Sequence, residues 1–213
     1  MKLVAIVTMV ADHVGMIFFP QVEALRIVGS LSMPLFAYLV AVGIERTRDR
    51  STYLCRLFTL FVFSQLPYGL FVGAKLNVFL SLAVGGMAAS FLADRKPGWA
   101  LALLAAFLGF TLQQPVSYGQ VGPALVLAFA VLPGRPIAST LLIAAVFATH
   151  GLLTGSHFSR IAIPVLPFVP LVVQYVHWRS PSRWRWAYWT YPFHLAFFYG
   201  VAWHLGITQY IQR

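Results

Sequence analysis

An ionisable pair, Asp12-His13, lies in the middle of the first apolar stretch of the chain, and a second histidine, His194, lies in the last. A charged group at bilayer depth is costly and persists where it has a partner or a use. At about 1.5 Å per residue, His13 is roughly 15 Å from Leu3, and His194 is about 12 Å from Trp186. We therefore predict that the two imidazoles and the carboxylate share one buried site.

This set of groups suits general base catalysis. A carboxylate beside an imidazole can select its tautomer and raise its basicity, which prepares the ring to accept a proton from an amine or hydroxyl nucleophile. We expect His13, oriented by Asp12, to be the base, with His194 as the alternative base. The structural alternative is that Asp12 pairs with a cation such as Arg26 to hold helices together, and that His13 only forms a hydrogen bond between helices.

A second group of candidates is the basic segment that begins at Arg46 and also contains Arg48, Tyr53 and Arg56. Several guanidiniums in one segment can hold the phosphates of a nucleotide-bearing donor such as coenzyme A. We expect these four residues to bind such a donor. Membrane topology and anionic lipid headgroups also explain arginine clusters of this kind, so that alternative stays open.

Further polar residues lie at the ends of apolar stretches. Arg26 and Asn77 can orient an acceptor, or they can serve as an ordinary snorkelling residue and an ordinary helix cap. The other histidines lack the spacing of metal ligands, so we predict no metal site. They are His150, His157, His177 and His204.

The composition excludes a soluble globular protein. Of 213 residues, 60% are hydrophobic and 9% are charged, whereas soluble chains have about 25% charged residues. The mean hydropathy is +0.79. The net charge of +10 comes from short clusters of Lys and Arg between apolar runs, a pattern typical of cytoplasmic loops rather than of nucleic-acid binding. The one cysteine, Cys55, cannot form an intramolecular disulfide.

These features predict an all-α, polytopic transmembrane bundle that forms a single domain over residues 1–213. About nine spans are expected, with eight to ten possible, and a cytoplasmic amino terminus then places most basic residues inside. The four basic residues outside would be Arg26, Lys75, Arg160 and Arg213. The expected spans are Leu3 to Pro20, Leu25 to Ile44, Tyr53 to Val72, Val78 to Ala93, Gly98 to Leu112, Val121 to Leu132, Ile137 to His150, Ile161 to His177 and Tyr188 to His204.

Six stretches of the chain form a set of motifs, namely AIVTMVADHVGMIFFP, LRIVGSLSMPLFAYLVAVGIERTRDRSTYLCRLF, SQLPYGLF, NVFLSLAVG, SYGQVG and WTYPFHL. In order and with matching spacing, they resemble the TraX family of membrane acetyltransferases. The resemblance covers most of the chain. The sequence departs from the family pattern at Arg46, Gln65, Ser81 and Ser117, which leaves the identity of the acceptor open.

The resemblance implies an activity and a set of site residues. The activity is transfer of an acetyl group from acetyl-CoA to an acceptor such as the N-terminal amine of a conjugative pilin, in the bacterial inner membrane. A peptide amine or a glycan hydroxyl remains open as the acceptor. The residues to which the resemblance points are Asp12, His13, Arg26, Pro34, Arg56, Pro67, Asn77, Tyr191 and His194.

A competing function class is not enzymatic. A small proton-coupled transporter, or an assembly factor for an envelope machine, would use Asp12 and His13 to relay protons or to hold helices together. Binding of coenzyme A separates the two classes, since the enzyme is expected to bind it and the carrier is not.

Overall fold

The computed structural model describes residues 1–132, 134–155, 168–175 and 189–207. Within these residues the regular structure is helical, apart from an isolated bridge between Leu76 and Val116. The predicted all-α class is therefore confirmed. The helices are α1 (Lys2–Ile17), α2 (Glu23–Gly29), α3 (Ser32–Arg46), α4 (Arg50–Val72), α5 (Val78–Ala93), α6 (Pro97–Gln113), α7 (Val121–Val131), α8 (Pro136–Thr154), α9 (Phe168–Tyr175) and α10 (Thr190–His204).

The second predicted span, Leu25 to Ile44, is interrupted. It consists of α2 and α3, which are separated by a turn at Ser30 and Leu31. The backbone amide of Ser30 donates to the carbonyl of Arg26 at 2.9 Å, and its hydroxyl donates to the carbonyl of Ile27 at 2.7 Å. A serine hydroxyl that bonds to a nearby carbonyl offers the backbone an alternative to the helical pattern. Arg26 of α2 lies against Gly15 of α1.

The count of nine spans is not confirmed. Among the described residues, one helical segment is long and apolar enough to cross a bilayer, namely Glu23–Arg46, which comprises α2, the turn and α3 and has 24 residues and a mean hydropathy of 2.0. The eighth predicted span, Ile161 to His177, lies largely outside the described residues. The other apolar helices are shorter and comprise Val78–Ala93, Pro97–Gln113, Val121–Val131 and Ile137–Leu152.

Helices α1 and α2 form a close antiparallel pair. Gly15 lies against Leu25, and Gly29 lies against Asp12. A Cβ atom on Gly29 would be 2.5 Å from the Cα atom of Asp12, so only glycine allows the two backbones to approach this closely. This contact sets the position of the Asp12-His13 pair.

Helices α5 and α7 run side by side in the same direction. Ser81 lies against Gly122, and Gly85 lies against Val126. The buried core between these helices and their neighbours includes Leu82, Leu125 and Val126, each with at most 1% of its surface exposed. These helices form the centre of the bundle.

Large apolar side chains also cover much of the outer surface. Leu66 of α4, Leu112 of α6 and Leu152 of α8 are 75%, 80% and 87% exposed. Exposed apolar surface of this extent marks a contact with lipid or with another protein.

Basic side chains that are separated in sequence meet at one end of the bundle, which we name the basic end. Arg50, at the start of α4, forms an ion pair with Asp94, which follows α5. Arg46, at the end of α3, and Arg135, just before α8, border the same cavity. The predicted order of spans places these connections at one end.

The opposite end is formed by two connecting loops that bond to each other, and we name it the loop end. The amide of Leu76, between α4 and α5, donates to the carbonyl of Pro115, between α6 and α7, at 2.9 Å. The amide of Ser117 donates back to the carbonyl of Leu76 at 2.8 Å. These bonds hold the mouth of the site described next.

Candidate active site around a histidine pair

The two histidines at the first and last helices are in direct contact. Nδ1 of His13 lies 2.7 Å from Nε2 of His194. The ring planes differ by 25° and the ring centroids are 4.9 Å apart. With the nitrogens this close, the rings meet edge to edge in a hydrogen bond rather than face to face. The structure therefore brings together two groups that are 181 positions apart in sequence.

The second nitrogen of His194 fixes the direction of this hydrogen bond. Nδ1 of His194 lies 2.7 Å from the carbonyl oxygen of Thr190. A carbonyl only accepts, so this nitrogen carries the proton, and in the neutral ring Nε2 has a lone pair. Nε2 then accepts from Nδ1–H of His13. In the neutral pair, Nε2 of His13 is left with a lone pair, which is the requirement for a base.

Aromatic rings surround the pair. Tyr191 meets the His194 ring edge to face at a centroid distance of 5.5 Å, and Phe198 does so at the same distance from the other direction along α10. The Tyr191 ring is also 6.1 Å from His13 and 4.9 Å from Phe79. These contacts restrict the rotation of both imidazoles.

The structure pairs Asp12 with Arg26 and not with His13. The contact partner of His13 Nδ1 is His194, whereas Oδ1 of Asp12 lies 3.3 Å from Nη1 of Arg26. These two atoms form an ion pair but are not aligned as a hydrogen bond, and neither has another hydrogen-bond partner among the described residues. The physical reason is helical geometry, because neighbouring residues of an α-helix point about 100° apart.

A cavity of about 470 Å³ lies beside the histidine pair and extends toward the loop end. This volume is within the range of small-molecule sites. His13 lines the cavity, and His194 is not among its lining residues. The polar side chains that line it are Asp12, His13, Arg26, Ser32, Tyr68, Lys75, Ser117, Tyr118, His150 and Tyr191.

Asn77 has a structural role, so the expectation that it binds a substrate is not supported. Its side chain is fully buried and does not line the cavity. Its Oδ1 accepts from the amide of Phe79 at 3.0 Å, which caps α5. Its Nδ2 donates to the carbonyl of Phe61 at 2.8 Å and to Oε1 of Gln65 at 3.0 Å. Each polar atom of this side chain is therefore already bonded within the protein.

The loop between α6 and α7 contributes cavity residues that were not predicted individually. Ser117 and Tyr118 line the cavity, and the carbonyl of Ser117 accepts from the hydroxyl of Ser81 at 2.7 Å. Tyr118 has a backbone φ of 61°, in the left-handed region that side chains other than glycine seldom adopt. The stretch SYGQVG belongs to the family motifs, and that was the sequence signal for this loop.

The four residues predicted to bind a donor do not form one cluster. Arg46 borders a second cavity at the basic end, whereas Arg48 and Arg56 are exposed and do not line it. Tyr53 packs against α3, because a Cβ atom on Gly43 would meet its hydroxyl and ring. Of the four residues that were expected to bind a donor, Arg46 is therefore the one that lines a cavity.

The fold and the site define a helical protein with an apolar outer surface and a partly buried histidine pair beside a cavity. The family model described as TraX protein matches residues 1–202. The chain therefore belongs to the TraX family, as its motifs predicted. No curated protein and no solved structure matches the chain. Together with the apolar segment Glu23–Arg46, family membership indicates association with a membrane, and it fits a pilin-associated role in conjugation.

Proposed function

We propose that the chain is an integral membrane acetyltransferase that moves an acetyl group from acetyl-CoA to an acceptor amine, such as the N-terminus of a pilin. The observation that supports this proposal is the lone pair on Nε2 of His13. It results from the chain of hydrogen bonds from His13 through His194 to the carbonyl of Thr190, and His13 borders a cavity of substrate size.

In this mechanism Nε2 of His13 accepts a proton from the acceptor amine while the amine nitrogen attacks the acetyl carbonyl carbon. A C–N bond forms, the thioester C–S bond breaks, and the proton passes from His13 to the leaving thiolate. While His13 is charged, its Nδ1–H donates to His194, which donates to Thr190. The hydrogen-bonded chain spreads the positive charge, and general base catalysis of this kind contributes about 10²- to 10⁴-fold in rate.

Arg26 is the candidate for stabilising negative charge on the reacting carbonyl oxygen. It lines the same cavity as His13, and its Nη1 is held by Asp12. A fixed cation in a site of low dielectric stabilises a developing oxyanion without having to reorganise. In this proposal Asp12 positions Arg26 rather than His13, and Tyr191 positions the histidine pair.

The proposed location is the bacterial inner membrane, with several crossings and a cytoplasmic amino terminus. The exposed apolar side chains of α4, α6, α8 and α10 support it, since a water-facing surface would not carry Leu66, Leu112, Leu152 and Trp203 at 67% to 87% exposure. The cluster of arginines at the basic end supports a cytoplasmic assignment for that end.

A carrier remains the second candidate because two cavities lie at opposite ends of the bundle. The cavity beside His13 and the cavity at the basic end share no lining residue. Between them lie the fully buried side chains of Leu125, Val126 and Ile143. Sites that are separated by a packed layer are also a feature of proteins that open alternately to two sides.

The test is acetyl transfer by the purified protein in lipid nanodiscs. The protein is incubated with radiolabelled acetyl-CoA and a pilin-derived peptide, which is offered with either a free or a blocked N-terminus. We expect label on the free peptide, at least 100-fold less label with His13→Ala, and unchanged label with His204→Ala, since His204 is exposed. A folded His13→Ala protein with wild-type transfer would remove His13 from the mechanism.

A further inference from the structure

The second cavity carries a separate inference about ligand binding. We infer that the cavity at the basic end binds phosphate groups through Arg46, Arg50 and Arg135, which come from three separate segments of the chain. The inference rests on the proposed function only where it identifies the phosphate ligand as the coenzyme A part of acetyl-CoA. The existence of a phosphate site is inferred from the residues that line the cavity.

The cavity is large enough for a nucleotide-sized group. Its volume is about 720 Å³, and helices α3, α4, α5, α7, α8 and α9 contribute to its lining. Its apolar wall includes Tyr38, Ala89 and Phe129, and the rings of Tyr38 and Phe129 meet edge to face at 5.3 Å. An apolar wall with a few charged groups at one side is the usual composition of a small-molecule site.

The charges of the cavity favour an anion. Three guanidiniums and one carboxylate, that of Glu45, line it. Arg50 is held in place, because its Nη1 donates to Asp94 and its Nε donates to the carbonyl of Ile44 at 3.3 Å. Within the part of the chain that the structure describes, no ion pair involves Arg46 or Arg135. Two guanidiniums are thus free to form bidentate bonds to a phosphate.

Arg135 is the residue that sequence analysis did not single out. It is the N-cap residue of α8, so the positive end of this helix adds to the charge of the guanidinium at the edge of the cavity. By contrast, Arg48 and Arg56 belong to the same basic segment as Arg46 but do not line the cavity. Closeness to Arg46 in sequence therefore does not decide which arginines share its cavity.

The two cavities border neighbouring positions on α3. On α3, Phe36 lines the cavity beside His13, and Tyr38 lines the basic cavity. Two helical residues correspond to a rise of about 3 Å. The two side chains point about 200° apart around α3, and the packed side chains of Leu125, Val126 and Ile143 lie between the cavities.

The experiment measures binding of coenzyme A to the full chain in nanodiscs of zwitterionic lipid, and compares substitutions that remove the same charge. We expect Arg46→Gln and Arg135→Gln each to weaken binding about tenfold or more, as loss of a charge-assisted hydrogen bond predicts. The matched controls, Arg48→Gln and Arg56→Gln, are expected to leave the affinity within about twofold. Arg50 is not varied, because its loss would break the ion pair with Asp94.

A second arm uses nanodiscs that contain anionic lipid and measures the lipid that stays bound on delipidation. If Arg135→Gln loses retained anionic lipid while coenzyme A binding is unchanged, the phosphate site stands and its ligand is a headgroup. Equal losses of coenzyme A affinity in the cavity variants and in the controls would overturn the site. Normal coenzyme A binding by wild type without any acetyl transfer would instead count against the proposed function alone.

Discussion

His194 lies behind His13 as seen from the cavity: the two rings share a 2.7 Å contact, and only His13 lines the cavity wall. The two histidines are therefore not interchangeable candidates for one role. In the proposed mechanism His13 meets the substrate, whereas His194 determines which nitrogen of His13 carries the proton. Each position accordingly calls for its own test.

Substitution of His194 is expected to lower kcat while leaving KM unchanged, since His194 does not touch the cavity. His194→Gln keeps a side-chain oxygen that can accept from Nδ1–H of His13, and it should retain at least tenfold more activity than His194→Leu. Acetylation kinetics at saturating and limiting peptide measure the difference. A large rise in KM with kcat unchanged would instead place His194 in contact with the acceptor.

The ion pair between Asp12 and Arg26 is expected to stabilise the contact of α1 with α2. Its side chains are 13% and 24% exposed, so loss of either partner leaves a poorly solvated charge. We expect Asp12→Asn and Arg26→Gln each to destabilise the protein by about 1–2 kcal/mol, and the double variant by less than the sum. Thermal unfolding of the four proteins in nanodiscs measures this. Additive losses would mean that the two residues do not interact.

Gly29 is expected to tolerate no side chain. A Cβ atom there would be 2.4 Å from Cβ and 2.5 Å from Cα of Asp12, and a backbone contact cannot be relieved by a side-chain rotation. Gly29→Ala should cost about 1–3 kcal/mol and displace the Asp12-His13 segment. The matched control is Gly109→Ala in α6, where no atom lies within 4 Å. There alanine should be neutral or stabilising by up to about 1 kcal/mol.

Asn77 is expected to affect stability and not the chemistry. Asn77→Ala removes the cap of α5 and both bonds from Nδ2, so we expect a loss of about 2 kcal/mol. Acetylation per folded molecule, and KM for the peptide, should match wild type. A raised KM in a protein of normal thermal stability would contradict this and restore Asn77 as a substrate contact.

The helix cap that Asp49 forms at the start of α4 is expected to depend on pH. Hydrogen bonds from the side chain and the backbone amide of Thr52 lower the pKa of its carboxyl below the ordinary value. A lowered folded-state pKa means that the cap stabilises above the unfolded value of about 3.9 and that its contribution is lost as the pH falls through the folded pKa. The difference in Tm between wild type and Asp49→Ala should therefore be largest at neutral pH and smaller in acid.

The matched variant for this prediction is Asp49→Asn. Its amide oxygen can still accept from the Thr52 backbone, and it does not titrate. The stability difference between Asp49→Asn and Asp49→Ala should thus stay constant with pH. Melting curves at several pH values measure both differences from Asp49→Ala. If the difference between wild type and Asp49→Ala also stays constant with pH, the charge of Asp49 does not contribute to the cap.

The amino-acid sequence by itself determined the all-α class and the position of most of the described helices. An apolar fraction of 60% with charges confined to short clusters leaves few alternatives to an apolar helical bundle. The similar height of His13 and His194 along their helices also followed from counting residues, because the rise of a helix is constant, and the contact of the two rings agrees with it. The family followed from motifs in a fixed order, and the match over residues 1–202 agrees with it.

The tertiary structure decided which of these residues meet. Asp12 and His13 point in different directions on α1, and α2 approaches α1 closely at Gly29. As a result, Asp12 forms an ion pair with Arg26, and His13 forms a hydrogen bond with His194. Packing also separates Arg46 from Arg48, which are two positions apart, and joins Arg46 with Arg135. Such pairings depend on how helices rotate and cross, and residue spacing within one helix does not contain that information.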